Sequence, residues 1–126
     1  MQKKEIANIM LTIKFSLRKL KPYLLLSQKT TGSALCLYPE DWDSLKDLFS
    51  VTLALKDLGK EAHITLSQDT WLILGKKKGR YYVCLQTWIN NLPYQHLSVT
   101  FTWMEWLDFI CHSDWVDKHL TASDDE

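Results

Sequence analysis

The sequence predicts an α+β fold of 126 residues in a single domain (1–126), built from two related halves in which antiparallel strands are closed by a helix. Three observations predict it. Long stretches alternate apolar and polar residues at the period of a strand. A short strand, Ala34 to Leu37, meets Pro39 and turns straight into a helix. That joint then recurs, because Leu37/Phe101, Asp41/Glu105, Trp42/Trp106 and Leu45/Phe109 share one offset. Any two strand-to-helix joints look somewhat alike, but equal spacing of Trp and the apolar residues favours a repeat. The halves fall at 1–60 and 61–120, and 121–126 reads as an acidic tail.

Each element follows from local chemistry. Asn8 to Arg18 alternates, with Ile9, Leu11, Ile13, Phe15 and Leu17 on one side and Met10, Thr12, Lys14, Ser16 and Arg18 on the other. Helical spacing also fits Ile6, Ile9, Ile13, Leu17 and Leu20, yet the unbroken alternation favours a strand. Lys21-Pro22 reads as a break, Tyr23 to Ser27 as a second strand, and Gln28 to Gly32 as a polar turn. After the third strand, Pro39 suits the first helical position, and Glu40, Asp41 and Asp43 complement the positive end of the helix dipole. Trp42, Leu45, Phe49 and Thr52 then recur at helical spacing, widened by Leu48, Val51, Leu55 and Leu58, and Gly59 suits the left-handed stop.

In the second half His63 to Leu66 and Thr70 to Leu74 read as strands. Lys76 to Gly79 reads as a hairpin tip and Arg80 to Ile89 as the next strand. Asn90 to Pro93 reads as a loop, followed by strand His96 to Phe101. Thr102 and Glu105 have the spacing of a capping box, opening a helix to about Leu120. Each sheet is expected to carry its helix on one side and to leave a wet, aromatic-bearing face on the other.

Composition narrows the function. Apolar residues make up 46% of the chain, enough for a core, and formal charge is zero, so bulk electrostatics selects no partner. The charge is uneven. Residues 1 to 21 carry Lys3, Lys4, Lys14, Arg18, Lys19 and Lys21 against Glu5 alone. Acids dominate from Glu105 onward. Cys36, Cys84 and Cys111 are an odd count without a CxxC pair, as expected of free thiols in a reducing compartment. No stretch has the length of a membrane span, and Asn8, Thr12 and Lys14 interrupt any signal-peptide core. The expectation is an intracellular protein, nuclear or cytoplasmic, with no membrane partner. His63, His96, His112 and His119 lack metal-site spacing. Cys111, His112, His119, Asp114 and Asp117 read as helix-surface groups rather than ligands. No serine sits in a nucleophile elbow, and Gly75 to Gly79 lacks P-loop spacing. No catalysis, cofactor or metal is expected.

The run Gly32-Ser-Ala-Leu-Cys-Leu-Tyr-Pro-Glu-Asp-Trp-Asp-Ser-Leu-Lys-Asp-Leu48 resembles the strand-to-helix signature of the positive cofactor four transcriptional coactivators. Leu74 to Trp88 looks like that family's preceding hairpin, with a basic tip and an alternating second strand. Four strands and a helix, used twice in one chain, are also similar to the Whirly proteins. Tyr38 stands where that family's capping hydroxyl usually is, and the second helix lacks the Leu-Lys-x-Leu ending. The resemblance implies single-stranded DNA or RNA binding, in replication, transcription or RNA handling. It implies a pseudo-dimeric monomer or a homo-oligomer, with protein partners as a further expectation.

The residues can support such binding physically. A single strand offers phosphates to cations and bare base faces to rings. Lys14 and Arg18 share one expected strand face, and Arg80, Tyr82, Gln86 and Trp88 another. Lys76, Lys77 and Lys78 are expected to reach over phosphates from the hairpin tip. The expected nucleic-acid-binding set is therefore Lys14, Arg18, Lys76, Lys77, Lys78, Arg80, Tyr82 and Trp88. The rival reading is a protein-interaction module with Trp71, Trp88 and Tyr82 as anchors, which the neutral net charge favours.

Overall fold

A computed structural model describes residues 2–88 and 96–121. The first half holds β1 (Gln2–Ile6), β2 (Ile9–Ser16), β3 (Lys21–Gln28) and β4 (Ala34–Leu37), then α1 (Pro39–Asp47) and α2 (Phe49–Asp57). The second half holds β5 (Ala62–Thr65), β6 (Thr70–Lys77), β7 (Arg80–Trp88) and β8 (His96–Thr102), then α3 (Trp103–Cys111) and α4 (Ser113–Thr121). The strands form two antiparallel sheets, ordered β1-β2-β3-β4 and β5-β6-β7-β8. The α+β architecture in two sheet-plus-helix halves is thus present. Helices α3 and α4 each begin and end 64 residues after α1 and α2.

Several elements differ from the sequence reading, each for a physical reason. Strand β1 was not expected, because Gln2, Lys3, Lys4 and Glu5 are all exposed and carry no alternation. Pro22 does not break the chain but lies buried within β3 opposite Phe15. The N–H of Gln28 points toward β4, bonding the Ser33 carbonyl, so the Pro22 nitrogen faces the same way. There β4, which pairs only with Leu24 to Ser27, does not reach, and no ladder bond is lost. Each expected helix is two. At Leu48 and His112 the N–H bonds back three residues, to the carbonyls of Leu45 and Phe109, which tightens the turn and re-aims the next segment. Strand β6 runs on through Lys76 and Lys77. Thr121 ends α4, while Ile89, the expected 90–93 loop and residues 122–126 lie outside the described residues.

The core lies where the inner sheet faces meet the helices. From β2 and β3 come Ile9, Leu11, Leu24 and Leu26; from β6 to β8 come Leu72, Leu74, Val83, Leu85, Val99 and Phe101, all buried. Between them Trp42, Phe49, Phe101, Trp106 and Phe109 pack as one aromatic cluster, with ring centroids 5.1 to 6.0 Å apart. Two indole N–H groups pin the halves together. Trp42 Nε1 donates to Asp117 on α4 at 2.7 Å, and Trp106 Nε1 donates to Thr52 on α2 at 2.9 Å. Such bonds matter because a buried donor without a partner is costly.

The free edge of β8 is sealed by side chains. Gln28 acts as a piece of strand: its amide nitrogen donates to the Thr100 carbonyl and its oxygen accepts from the Thr100 N–H, both at 3.2 Å. Ser33 meets the Ser98 backbone in the same manner. The predicted capping box forms, with the Thr102 hydroxyl accepting from Glu105 N at 3.1 Å and the Thr102 N–H donating to Glu105 Oε1 at 2.9 Å. The bonds of Gln28 and Ser33 fix the β3–β4 turn of the first sheet against β8, which the capping box joins to α3.

Candidate nucleic-acid interface

The β6–β7 hairpin builds one wall of an open groove. Lys77 pairs with Arg80 across a two-residue turn in which Lys78 and Gly79 both have positive φ, 54° and 78°. That is the twist a tight hairpin requires. Alternation then puts Lys77, Arg80 and Tyr82 on the outer face. Lys76 pairs with Tyr81 on the opposite face, its Nζ 5.3 Å from the Tyr81 ring centre. The three lysines therefore do not act as one tip. Tyr82 faces Gly75 on β6, and its ring lies across that glycine: a Cβ there would stand 2.3 Å from the ring.

The groove, about 1090 Å³, is lined by Lys77, Lys78, Arg80 and Tyr82 on this wall, with Thr100 and Thr102 of β8 as its floor. Trp103 and Lys56 line it from α3 and α2 on the inner side of the hairpin, where Trp103 packs on Tyr81 at 6.1 Å, and Asn8, Gln28 and Thr30 line it from the first half. Lys56 Nζ stands 5.6 Å from the Trp103 ring centre. Among the described residues none of Lys56, Lys77, Lys78 and Arg80 is in an ion pair. The one carboxylate in the lining, Glu105, already accepts backbone N–H bonds from Thr102 and from Asn8, the latter at 3.0 Å. Four unpaired cations against one occupied carboxylate leave the groove a positive field.

The other expected residues lie elsewhere. Trp88 shares the outer face with Tyr82 but is six residues along β7, roughly 20 Å away at strand rise. Its ring packs on Trp71 at 5.3 Å and is 42% exposed. Trp71 in turn donates to Gln86 at 2.7 Å. Lys14 is on the outer face of the first sheet opposite Tyr23, and Arg18 lies beyond the end of β2 in the turn. There Lys19 Nζ stands 4.1 Å from the Tyr38 ring centre, and Tyr23 packs on Tyr38 at 5.4 Å. Burial pushes the Cys36 thiol up on this face, against the pull of Lys14 and Lys19. Lys21 holds Glu40 at 2.6 Å and keeps its carboxyl below the ordinary range. Thus four of the eight expected residues converge, Trp88 extends their face, and Lys14, Arg18 and Lys76 stand apart.

Sequence reasoning missed Lys56, Trp103, Gln28, Asn8 and Thr30. Only tertiary packing brings them to the hairpin. The one local signal was Trp103, an aromatic at a helix start and off the stripe of Trp106 and Phe109. Among the described residues no group of three His, Cys, Asp or Glu is placed to hold a metal ion. Asp117 is engaged by Trp42 and by Lys46, and His112 by Asp108. Among the described residues no helix is long and apolar enough to cross a membrane. No protein-family model matches the chain, and no curated protein matches it.

Proposed function

We propose that this chain binds single-stranded DNA or RNA without catalysis, in replication, transcription or RNA handling. The observation that carries this reading is the meeting of Lys56, Lys77, Lys78 and Arg80 with the Tyr82 ring in one open groove. Cations neutralise phosphates and release counterions, and a ring offers a base a stacking surface worth about 1–3 kcal/mol. The Thr102 hydroxyl, which accepts from Glu105 N, keeps its O–H to donate to a phosphate, so the backbone is held with little base readout. Trp71 of β6 and Trp88 of β7 give a strand leaving the groove a second stacking surface at the far end of these two strands. The positive cofactor four and Whirly resemblance supports the same reading. The free thiols of Cys36, Cys84 and Cys111 support a reducing compartment, nucleus or cytoplasm.

The test is fluorescence anisotropy with labelled single-stranded DNA, single-stranded RNA and duplex at two salt concentrations. Single strands bind more tightly than duplex, and affinity falls with salt with a logarithmic slope near about −3 for four contacts. Equal, negligible binding to every probe rejects the reading. It then leaves the protein-interaction module, for which the exposed Trp88 beside Trp71 is the anchor.

A further inference from the structure

The β2–β3 hairpin ends in an apolar knob that the groove does not use. Leu17 is 84% exposed and Leu20 74%, both in the turn, and Phe15, next to the end of β2, is 51% exposed. The turn is held rigid by the Leu20 N–H on the Ser16 carbonyl at 2.7 Å and the Lys19 N–H on Ser16 Oγ at 3.1 Å. Leu20 has a φ of 55°, a conformation in which a branched side chain is strained and glycine or asparagine is at ease. Nothing in the fold rewards a leucine there, since its side chain faces solvent. Strain kept without a packing return points to use.

Arg18 and Lys19 lie in the same turn, and Lys14 stands beside it on the outer face of β2. Lys14, Arg18 and Lys19 are in no ion pair among the described residues. The sequence has no Asp or Glu between Glu5 and Glu40, so β2, β3 and β4 carry no carboxylate. Glu5 is taken by Lys29 and Glu40 by Lys21. An exposed apolar tip whose turn also carries Arg18 and Lys19, on strands without a carboxylate, fits a surface that is soft, apolar inside and negative outside.

We infer that the β2–β3 tip docks peripherally on an anionic lipid surface, with Phe15, Leu17 and Leu20 entering the headgroup boundary and Lys14, Arg18 and Lys19 meeting the lipid charges. The contact is with one leaflet and is independent of the nucleic-acid groove, whose cations lie on α2 and on the β6–β7 hairpin.

Co-sedimentation of the full chain with phosphatidylcholine vesicles, with and without phosphatidylserine, tests it. The chain sediments with the mixed vesicles and at least about tenfold less with the neutral ones, since each cation near the surface contributes separately. Leu17→Ser with Leu20→Gly lowers binding to mixed vesicles by about tenfold or more, because the inserted apolar area is lost. The same variant keeps or raises the thermal midpoint, since glycine suits the turn, so the loss is not unfolding. Arg18→Ser with Lys19→Ser removes most of the preference for phosphatidylserine while oligonucleotide affinity is retained. No sedimentation with mixed vesicles overturns the inference, as does sedimentation indifferent to both variants. A wild-type dimer that becomes monomeric on Leu17→Ser with Leu20→Gly also overturns it, giving the knob to a second copy of the chain.

Discussion

In the first sheet Lys14 stands opposite Tyr23; in the second, Gly75 stands opposite Tyr82. The registers make these counterparts, since Ile13, Leu24 and Leu37 align across one sheet as Leu74, Val83 and Phe101 do across the other. Glycine lets the Tyr82 ring lie down over β6 beside the groove. Tyr23 has no such bed and leans on Tyr38 instead. The tips differ too: Lys78-Gly79 is short and carries no apolar side chain, while Leu17 to Leu20 is longer and sets two exposed leucines beside its cations. One scaffold used twice has been given two surface chemistries. The core pattern is kept, and the divergence sits where side chains meet water.

The widest gap between the halves is expected in oligonucleotide binding. Replacing Lys77, Lys78 and Arg80 together with serine lowers single-strand affinity by about a hundredfold at low salt and reduces the salt slope by about 2. Replacing Arg18 and Lys19 changes affinity less than about threefold, since a solvated charge outside the groove adds only long-range attraction. Anisotropy titrations of both variants in one buffer measure the difference. Equal losses would mean that both sheets share one nucleic-acid surface.

The two indole pins can be compared by equilibrium denaturation. Thr52→Val keeps the side-chain shape but leaves the buried Trp106 N–H without an acceptor, at a cost of about 1–3 kcal/mol. Asp117→Asn keeps an oxygen for Trp42 and costs less, about 1 kcal/mol or below. Only the second pin titrates. The hydrogen bond from Lys46 to Asp117 raises the lysine above its ordinary value of 10.5. A folded value above the unfolded one gives stability that is full below the unfolded value and lost as pH rises through the folded one. Wild type and Thr52→Val therefore lose this increment in strong alkali, and Asp117→Asn does not.

Gly75→Ala comes next. The added methyl strikes only the outer end of the Tyr82 ring, which can swing aside, so stability changes little. Stacking in the groove is disturbed, and single-strand affinity falls by about fivefold, within the value of one stacked base. Alanine at position 14, the counterpart in the first sheet, leaves that affinity nearly unchanged.

How far the sequence reached follows from where each signal is written. The repeat was legible because Leu37, Trp42, Leu45 and their partners Phe101, Trp106 and Phe109 must all be buried, and burial constrains residue type. Strand β1 was not, because hydrogen bonding to β2 holds its exposed polar residues and leaves no mark on side-chain type. The breaks at Leu48 and His112 were not legible either, since both residues suit a continuous helix and the bend arises in tertiary packing. In the groove, Arg80 and Tyr82 were readable from alternation along one strand, and Lys77 and Lys78 as cations of the hairpin tip. The position of Lys76 turned on a two-residue turn at Lys78-Gly79 rather than a four-residue one. Lys56 and Trp103 depend on how α2 and α3 come together, which no local pattern records.

The smallest expected effect tests why strain is kept at both tips. Leu20 and Lys78 hold nearly the same left-handed φ, 55° and 54°. A left-handed residue with a Cβ costs about 1–2 kcal/mol, and glycine returns about 0.5–1 of that through its freer unfolded chain. Leu20→Gly and Lys78→Gly should therefore each stabilise the fold by a similar margin, about 0.5–1 kcal/mol by denaturant titration. Their binding consequences should separate. Lys78→Gly weakens oligonucleotide binding by removing a groove cation, while Leu20→Gly leaves it intact. If either variant instead destabilises the fold, that side chain is held by packing, and its unfavourable backbone serves the structure rather than a surface.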